Sequence, residues 1–146
     1  MKKLVLLLVF FTSILTSCSI DSEPVANFTL EVLPIDSVEV PDQFVQGETY
    51  EIFMTYTKPS SCYEFNDFIY EINGHERTIA IVNTVYLNLN CAQQIETVTV
   101  SFDFLVVGSE TYLFKFYQGE DEQGVDQYHL VEVPVVSERN ASSDRN

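Results

Sequence analysis

Val98-Thr99-Val100-Ser101-Phe102-Asp103-Phe104 sets apolar and polar side chains in strict alternation. Successive side chains of an extended chain point to opposite faces. Val98, Val100, Phe102 and Phe104 therefore share one face, and Thr99, Ser101 and Asp103 share the other. One face suits a core and the other suits water, the pattern of a half-buried strand. Outward from this stretch the same period recurs. Tyr50, Ile52, Met54 and Tyr56 follow Gly47-Glu48; Tyr112, Phe114 and Phe116 follow Gly108; Val131, Val133 and Val135 lie near the end. Val25 to Leu33, Asp67 to Ile72 and Thr78 to Leu89 read as further strands. Asn73-Gly74 is a strong two-residue hairpin signal, and Pro34, Pro41, Pro59, Gly108 and the Gly119–Gly124 segment punctuate the rest. No stretch past the N-terminus sustains a helical period. The pattern predicts an all-β fold, an antiparallel β-sandwich of about seven short strands over residues 25–136, with a polar tail at 137–146.

The N-terminus is written differently. Met1-Lys2-Lys3 leads into an apolar run from Leu4 to Phe11 and then Thr12-Ser13-Ile14-Leu15-Thr16-Ser17-Cys18. A basic start followed by a short apolar segment predicts a helical secretory signal peptide over residues 1–17, cleaved on export. The run falls short of the roughly 20 apolar residues a transmembrane helix needs. Leu15-Thr16-Ser17-Cys18 resembles the lipobox of bacterial lipoproteins. That resemblance implies cleavage before Cys18, lipidation of its thiol, acylation of the new amino terminus and a tether over residues 18–24. Ser19 at the second mature position, by similarity to enterobacterial sorting, favours the outer membrane over the inner. The expected location is the cell envelope, facing the periplasm or the cell surface.

Charge supports that picture. The chain carries 22 acidic and 7 basic side chains, a formal charge of −15. All 22 acids follow Cys18, whereas Lys2 and Lys3 precede it, so cleavage leaves 5 − 22 = −17. Such acidity excludes ordinary nucleic-acid binding, which depends on Lys and Arg against phosphate. It also repels anionic headgroups, so the lipid is expected to hold the protein at the membrane while the domain stands off.

Beyond Cys18 only Cys62 and Cys91 remain. In an oxidising compartment these are expected to form one disulfide. Their spacing matches neither a Cys-x-x-Cys redox pair nor close-set zinc ligands.

Pro41-Asp42-Gln43-Phe44-Val45-Gln46-Gly47-Glu48-Thr49-Tyr50-Glu51-Ile52 is similar to the approach to the second strand of bacterial immunoglobulin-like domains. Glu110-Thr111-Tyr112-Leu113-Phe114 resembles the approach to their sixth strand, with Tyr112 where a tyrosine corner would fall. Cys62-Tyr63-Glu64-Phe65-Asn66-Asp67-Phe68 and Phe114-Lys115-Phe116-Tyr117-Gln118-Gly119-Glu120-Asp121-Glu122 resemble small uncharacterised lipoproteins of Bacteroidota. The resemblance implies an immunoglobulin-like sandwich and brings no activity with it. The chain has no Trp, and Cys62 and Cys91 stand too close in sequence for a bridge between second and sixth strands. The staple is expected to tie the loop before one strand to the end of the hairpin that follows.

Two segments are candidate sites. Glu120, Asp121, Glu122 and Asp126 form an acidic loop whose oxygens suit Ca²⁺, although its spacing matches no strong calcium motif; a solvated hairpin tip explains it equally well. Tyr63, Phe65, Phe68 and Tyr70 are a candidate binding surface for a protein or glycan, with core packing the favoured alternative. His75 and His129 stand in no catalytic motif, so no catalytic residue and no enzymatic activity are expected. The leading expectation is a lipid-anchored, non-catalytic protein- or glycan-binding or structural module without a required cofactor. The alternatives are a small-ligand or Ca²⁺-binding accessory lipoprotein and, third, a small envelope hydrolase.

Overall fold

The computed structural model describes residues 27–136. The expected signal peptide, the expected lipidation site Cys18 with its tether, and the expected polar tail lie outside the described residues. Ten strands occur: β1 (Phe28–Leu33), β2 (Ile35–Glu39), β3 (Phe44–Val45), β4 (Thr49–Lys58), β5 (Tyr63–Asn73), β6 (Glu76–Tyr86), β7 (Glu96–Leu105), β8 (Tyr112–Glu120), β9 (Asp126–Val133) and β10 (Val135–Val136). There is no helix among the described residues. The fold is an all-β sandwich, as the alternation requires. The seven expected strands correspond to β1 and β4 to β9. The additions are β2 and the two-residue strands β3 and β10, which are too short to show a period.

One sheet is β2-β4-β7, antiparallel throughout. Its register pairs Ile52 with Phe102, Met54 with Val100 and Tyr56 with Val98, so the apolar faces of two alternating sequences meet on one side. The other sheet is built on β6. β5 covers one edge of β6 along its whole length; β8 takes the first half of the opposite edge and β1 the second half, and β9 follows β8. Pro34 separates β1 in this sheet from β2 in the other, so a single run of chain crosses between layers. Proline suits that crossing, because it has no N–H to give a ladder.

Two pairings are parallel: β3 with β10, and β6 with β8 over four residue pairs. The second departs from the all-antiparallel sheets of an immunoglobulin sandwich. The cause is the order of the β5–β6 hairpin. Its second strand takes the inner place, and two chain reversals through β7 bring β8 alongside in the same direction. The hairpin turn also sits one residue later than Asn73-Gly74 implies. Gly74 and His75 form the loop between β5 and β6, and Gly74 has φ of 57°. A positive φ at the first loop residue alone is the type II′ requirement that glycine meets without steric cost.

The core lies between the sheets. Ile52, Met54 and Tyr56 of β4, Ile79 and Ile81 of β6, and Tyr112, Phe114 and Phe116 of β8 are fully buried. Phe44 plugs one end, with ring centroids 4.9 Å from Tyr50 and 5.3 Å from Phe104. Tyr112 makes the expected tyrosine corner: its hydroxyl accepts the Gly108 N–H at 2.7 Å. A Cβ on Gly108 would lie 2.8 Å from that hydroxyl, so the corner closes only over glycine.

Cys62 and Cys91 are joined, with a Cα–Cα distance of 5.4 Å. Cys62 immediately precedes β5 and Cys91 follows β6, so the bridge closes the open end of that hairpin. Backbone bonds reinforce the closure. Ser61 N–H donates to Ala92 O at 3.1 Å, and Tyr86 N–H donates to Cys62 O at 3.1 Å.

Candidate functional site

A break in the register of β5 organises its aromatic residues. Phe65 pairs with Asn83 and Asp67 with Val82, leaving Asn66 as the extra residue of a β-bulge. Its side-chain amide donates to Thr84 Oγ1 at 2.9 Å. One inserted residue inverts the phase of a strand. Tyr63 and Phe65 before the bulge, and Phe68, Tyr70 and Ile72 after it, are thereby all opposite Val85, Asn83, Ile81, Ile79 and Arg77, the odd-numbered positions of β6 that face the core. Glu64, Ile69 and Glu71 take the outer face, and Asp67, next to the bulge, borders the gap between β5 and β7.

Among the described residues β5 is nevertheless the last strand of its sheet, and β7 is the last strand of the other on the same side. The aromatic row therefore closes the sandwich only in part. Tyr63 and Phe68 pack against the core, while Phe65 and Tyr70 stay 37% and 38% exposed and Ile72 66%. Phe68 meets Phe65 with centroids at 5.0 Å, and both Phe68 and Tyr70 meet Phe102 of β7, at 5.7 and 5.6 Å. The candidate aromatic surface is thus half core and half wall. Between β5 and β7 lies a mainly apolar groove of about 450 Å³, lined on one side by Phe68, Tyr70 and Ile72 and on the other by Phe102, Phe104, Leu105 and Val107.

Arg77 also lines this groove and is only 6% exposed. It lies on the core face of β6, opposite Ile72. Its guanidinium carbon is 4.9 Å from the Tyr112 ring centroid and 5.9 Å from that of Phe104. Nη1 donates to Gly74 O at 2.8 Å and to Glu76 O at 2.7 Å. Among the described residues no carboxylate forms an ion pair with it. Burial raises the pKa of the Tyr70 hydroxyl, and Arg77 opposes that rise in part through its positive charge and a side-chain hydrogen bond. Neither Arg77 nor Phe102 is among the residues that the sequence singles out as a candidate site. A usable signal existed for Arg77: it shares the parity of Ile79 and Ile81, which puts a charge on an apolar face.

The acidic loop is organised as a turn. Asp121 Oδ1 accepts the N–H groups of Gln123 and Val125, both at 2.9 Å, and Oδ2 accepts Gln127 Nε2 at 3.1 Å. Asp126 accepts the Tyr128 hydroxyl at 3.2 Å. Glu120, Asp121, Glu122 and Asp126 are not gathered around one point, and no three Asp, Glu, His or Cys side chains converge as metal ligands among the described residues. His75 Nε2 lies 2.6 Å from Glu110 Oε2 beside the tyrosine corner, and His129 borders a small hollow with Gln118 and β2.

A second depression, about 430 Å³, lies on the outer face of the five-stranded sheet. Val32, Ile69 and Ala80 are among its apolar lining residues, together with Tyr117, Tyr128, Glu71, Glu120 and Asp126. The two tyrosine rings meet at 6.0 Å. Burial, helped by the neighbouring carboxylates, raises the pKa of both hydroxyls. Comparison with family models, curated proteins and solved structures found no match to this chain.

Proposed function

We propose that this chain is a lipid-anchored lipoprotein of the cell envelope, held by Cys18, and that its sandwich is a non-catalytic module that docks a protein partner along β5. The free edge of β5 carries this reading. It runs for eleven residues and among the described residues pairs with β6 alone; it contains neither proline nor lysine, and its blunting is confined to the Asn66 bulge and the carboxylates of Glu64, Asp67 and Glu71. Natural edge strands of that length are usually protected, because their unpaired N–H and C=O groups recruit another strand. Here the groove alongside adds apolar surface for alternate side chains of an added strand, the two components of strand-addition recognition.

Crosslinking pull-down from intact cells, comparing the unaltered chain with Ile69→Lys, tests the docking edge. Ile69 is 41% exposed on the outer face of β5, so lysine there leaves the core alone and charges the edge. A specific protein captured by the unaltered chain and lost with Ile69→Lys is the expected result. Equal capture by both removes the edge from the proposal. For the anchor, Cys18→Ser is expected to move the protein out of the detergent phase; unchanged partitioning refutes lipidation.

Glycan binding is a second reading. The outer depression favours it, since aromatic faces beside carboxylates suit a sugar's apolar faces and hydroxyls. Tyr128→Ala would then weaken capture on a glycan array, and undiminished capture would dismiss the depression.

A further inference from the structure

We infer that the groove between β5 and β7 receives the apolar C-terminal end of an extended polypeptide, whose terminal carboxylate pairs with Arg77. This rests on the reading of β5 as a docking edge and names the chemistry at its end.

The first argument is charge. A guanidinium has five N–H donors and stays protonated. Arg77 gives two hydrogen bonds from Nη1 to backbone carbonyls and interacts with the Tyr70 hydroxyl, while its ring contacts with Tyr112 and Phe104 offset only part of the cost of burial. Removing a charge from water without an opposite charge is unfavourable, and a carboxylate that reaches it forms a bidentate pair. A mainly apolar groove whose cation is buried, and whose two carboxylates are exposed, therefore selects an apolar ligand with one anionic group that reaches the cation. Asp67 and Asp103 also line the groove, and Asp67 Oδ1 is held by the Phe68 N–H. Two carboxylates there oppose a dianionic phosphate far more than a single carboxylate.

Polypeptide is favoured over a fatty acid by the walls. Among the described residues β5 and β7 each pair on one side only, so both present unpaired backbone groups along the groove. An extended chain satisfies them; a hydrocarbon tail does not. A chain terminus is favoured over an internal acidic side chain by position. Arg77 sits opposite Ile72, where β5 turns at Gly74-His75, so the strand edge ends there. From Phe68 to Ile72 is four residues, or about 13 Å, which accommodates about four extended ligand residues.

The test uses the detergent-solubilised full chain. The probes are N-acetylated pentapeptides randomised over Val, Ile, Leu, Phe and Thr, prepared as free acids and as C-terminal amides. Affinity selection read by mass spectrometry is expected to retain the acids at least about tenfold over the amides, a difference of 1.4 kcal/mol or more. Arg77→Met should erase that preference, and Arg77→Lys should keep part of it. If Arg77→Met does not give a cooperative melt, Leu105→Glu serves instead. It alters an exposed wall residue, adds a negative charge to the groove and should abolish the preference for acids. Equal retention of acids and amides overturns the inference, as does an acid preference that survives Arg77→Met in a folded protein. Retention of decanoate with no peptide overturns it in favour of a fatty carboxylate. Loss of the acid preference while cells still yield an Ile69-dependent partner refutes the terminus and leaves the docking edge standing.

Discussion

Removing the Cys62–Cys91 bridge with the double replacement Cys62→Ala, Cys91→Ala should destabilise the domain by a calculable amount. The bridged residues are 29 apart in sequence. In the chain-entropy treatment a loop of that size, cut free in the unfolded state, costs about 3.6 kcal/mol at 25 °C. The described domain has about 110 residues. At about 2.1 cal/mol/K per residue, its unfolding entropy near the midpoint is about 0.23 kcal/mol/K, so Tm should fall by about 15 °C. The folded state should change little. Ser61 and Ala92 already join the two segments through backbone and side-chain hydrogen bonds at 3.1 and 2.9 Å. The effect is therefore placed in the unfolded chain, and that makes a second prediction. A freed chain expands and exposes more surface, so the denaturant m-value should rise together with the fall in midpoint. Calorimetry and urea titration of both forms measure these quantities. A Tm drop under about 5 °C with unchanged m would refute the entropic account.

Tyr112→Phe removes the acceptor for the Gly108 N–H and should cost about 1–2 kcal/mol in urea denaturation. Tyr56 and Asn83 are fully buried and bonded at 3.1 Å, and Asn83 Nδ2 has no partner. Tyr56→Phe should therefore cost about 1–3 kcal/mol, with Tyr56→Phe, Asn83→Leu recovering much of that loss because both polar groups are gone. Alkaline stability has a defined sign. The hydroxyls of Tyr56, Tyr63 and Tyr70 are raised in the folded state above 10.0, chiefly by burial. The unfolded chain then loses protons first, so stability is full below pH 10 and falls as pH climbs through the higher folded values. Melts between pH 9 and 12, with tyrosinate absorbance followed in parallel, check this; stability that rises across the window contradicts it.

Most of the fold could be read from parity alone, because half-buried strands record which face is wet. Val98, Val100 and Phe102 are paired in register with Tyr56, Met54 and Ile52, two alternating sequences that were recognised separately. The tyrosine corner was legible for a similar reason: Gly108 and Tyr112 are close in sequence, and local chemistry determines their bond. What escaped were features that depend on a partner strand. Tyr63 and Phe65 have odd numbers, whereas Phe68 and Tyr70 have even ones. By alternation alone these four could not share a face, and only the pairing with β6 shows that Asn66 bulges and brings them together. The parallel alignment of β6 and β8 escaped for the same reason, since both orders of the hairpin satisfy the same pattern. Arg77 belongs to this class as well. A charge at a core-parity position in a strand is an error in a sandwich that closes completely. Beside the open edge between β5 and β7 it becomes a cation at the border of core and groove, and that changes how the net charge is read. The chain's surplus of acids describes its solvated surface, while the groove where a partner would enter holds its one cation, Arg77, buried. An acidic protein can in this way repel anionic surfaces at long range and still select a single carboxylate at contact.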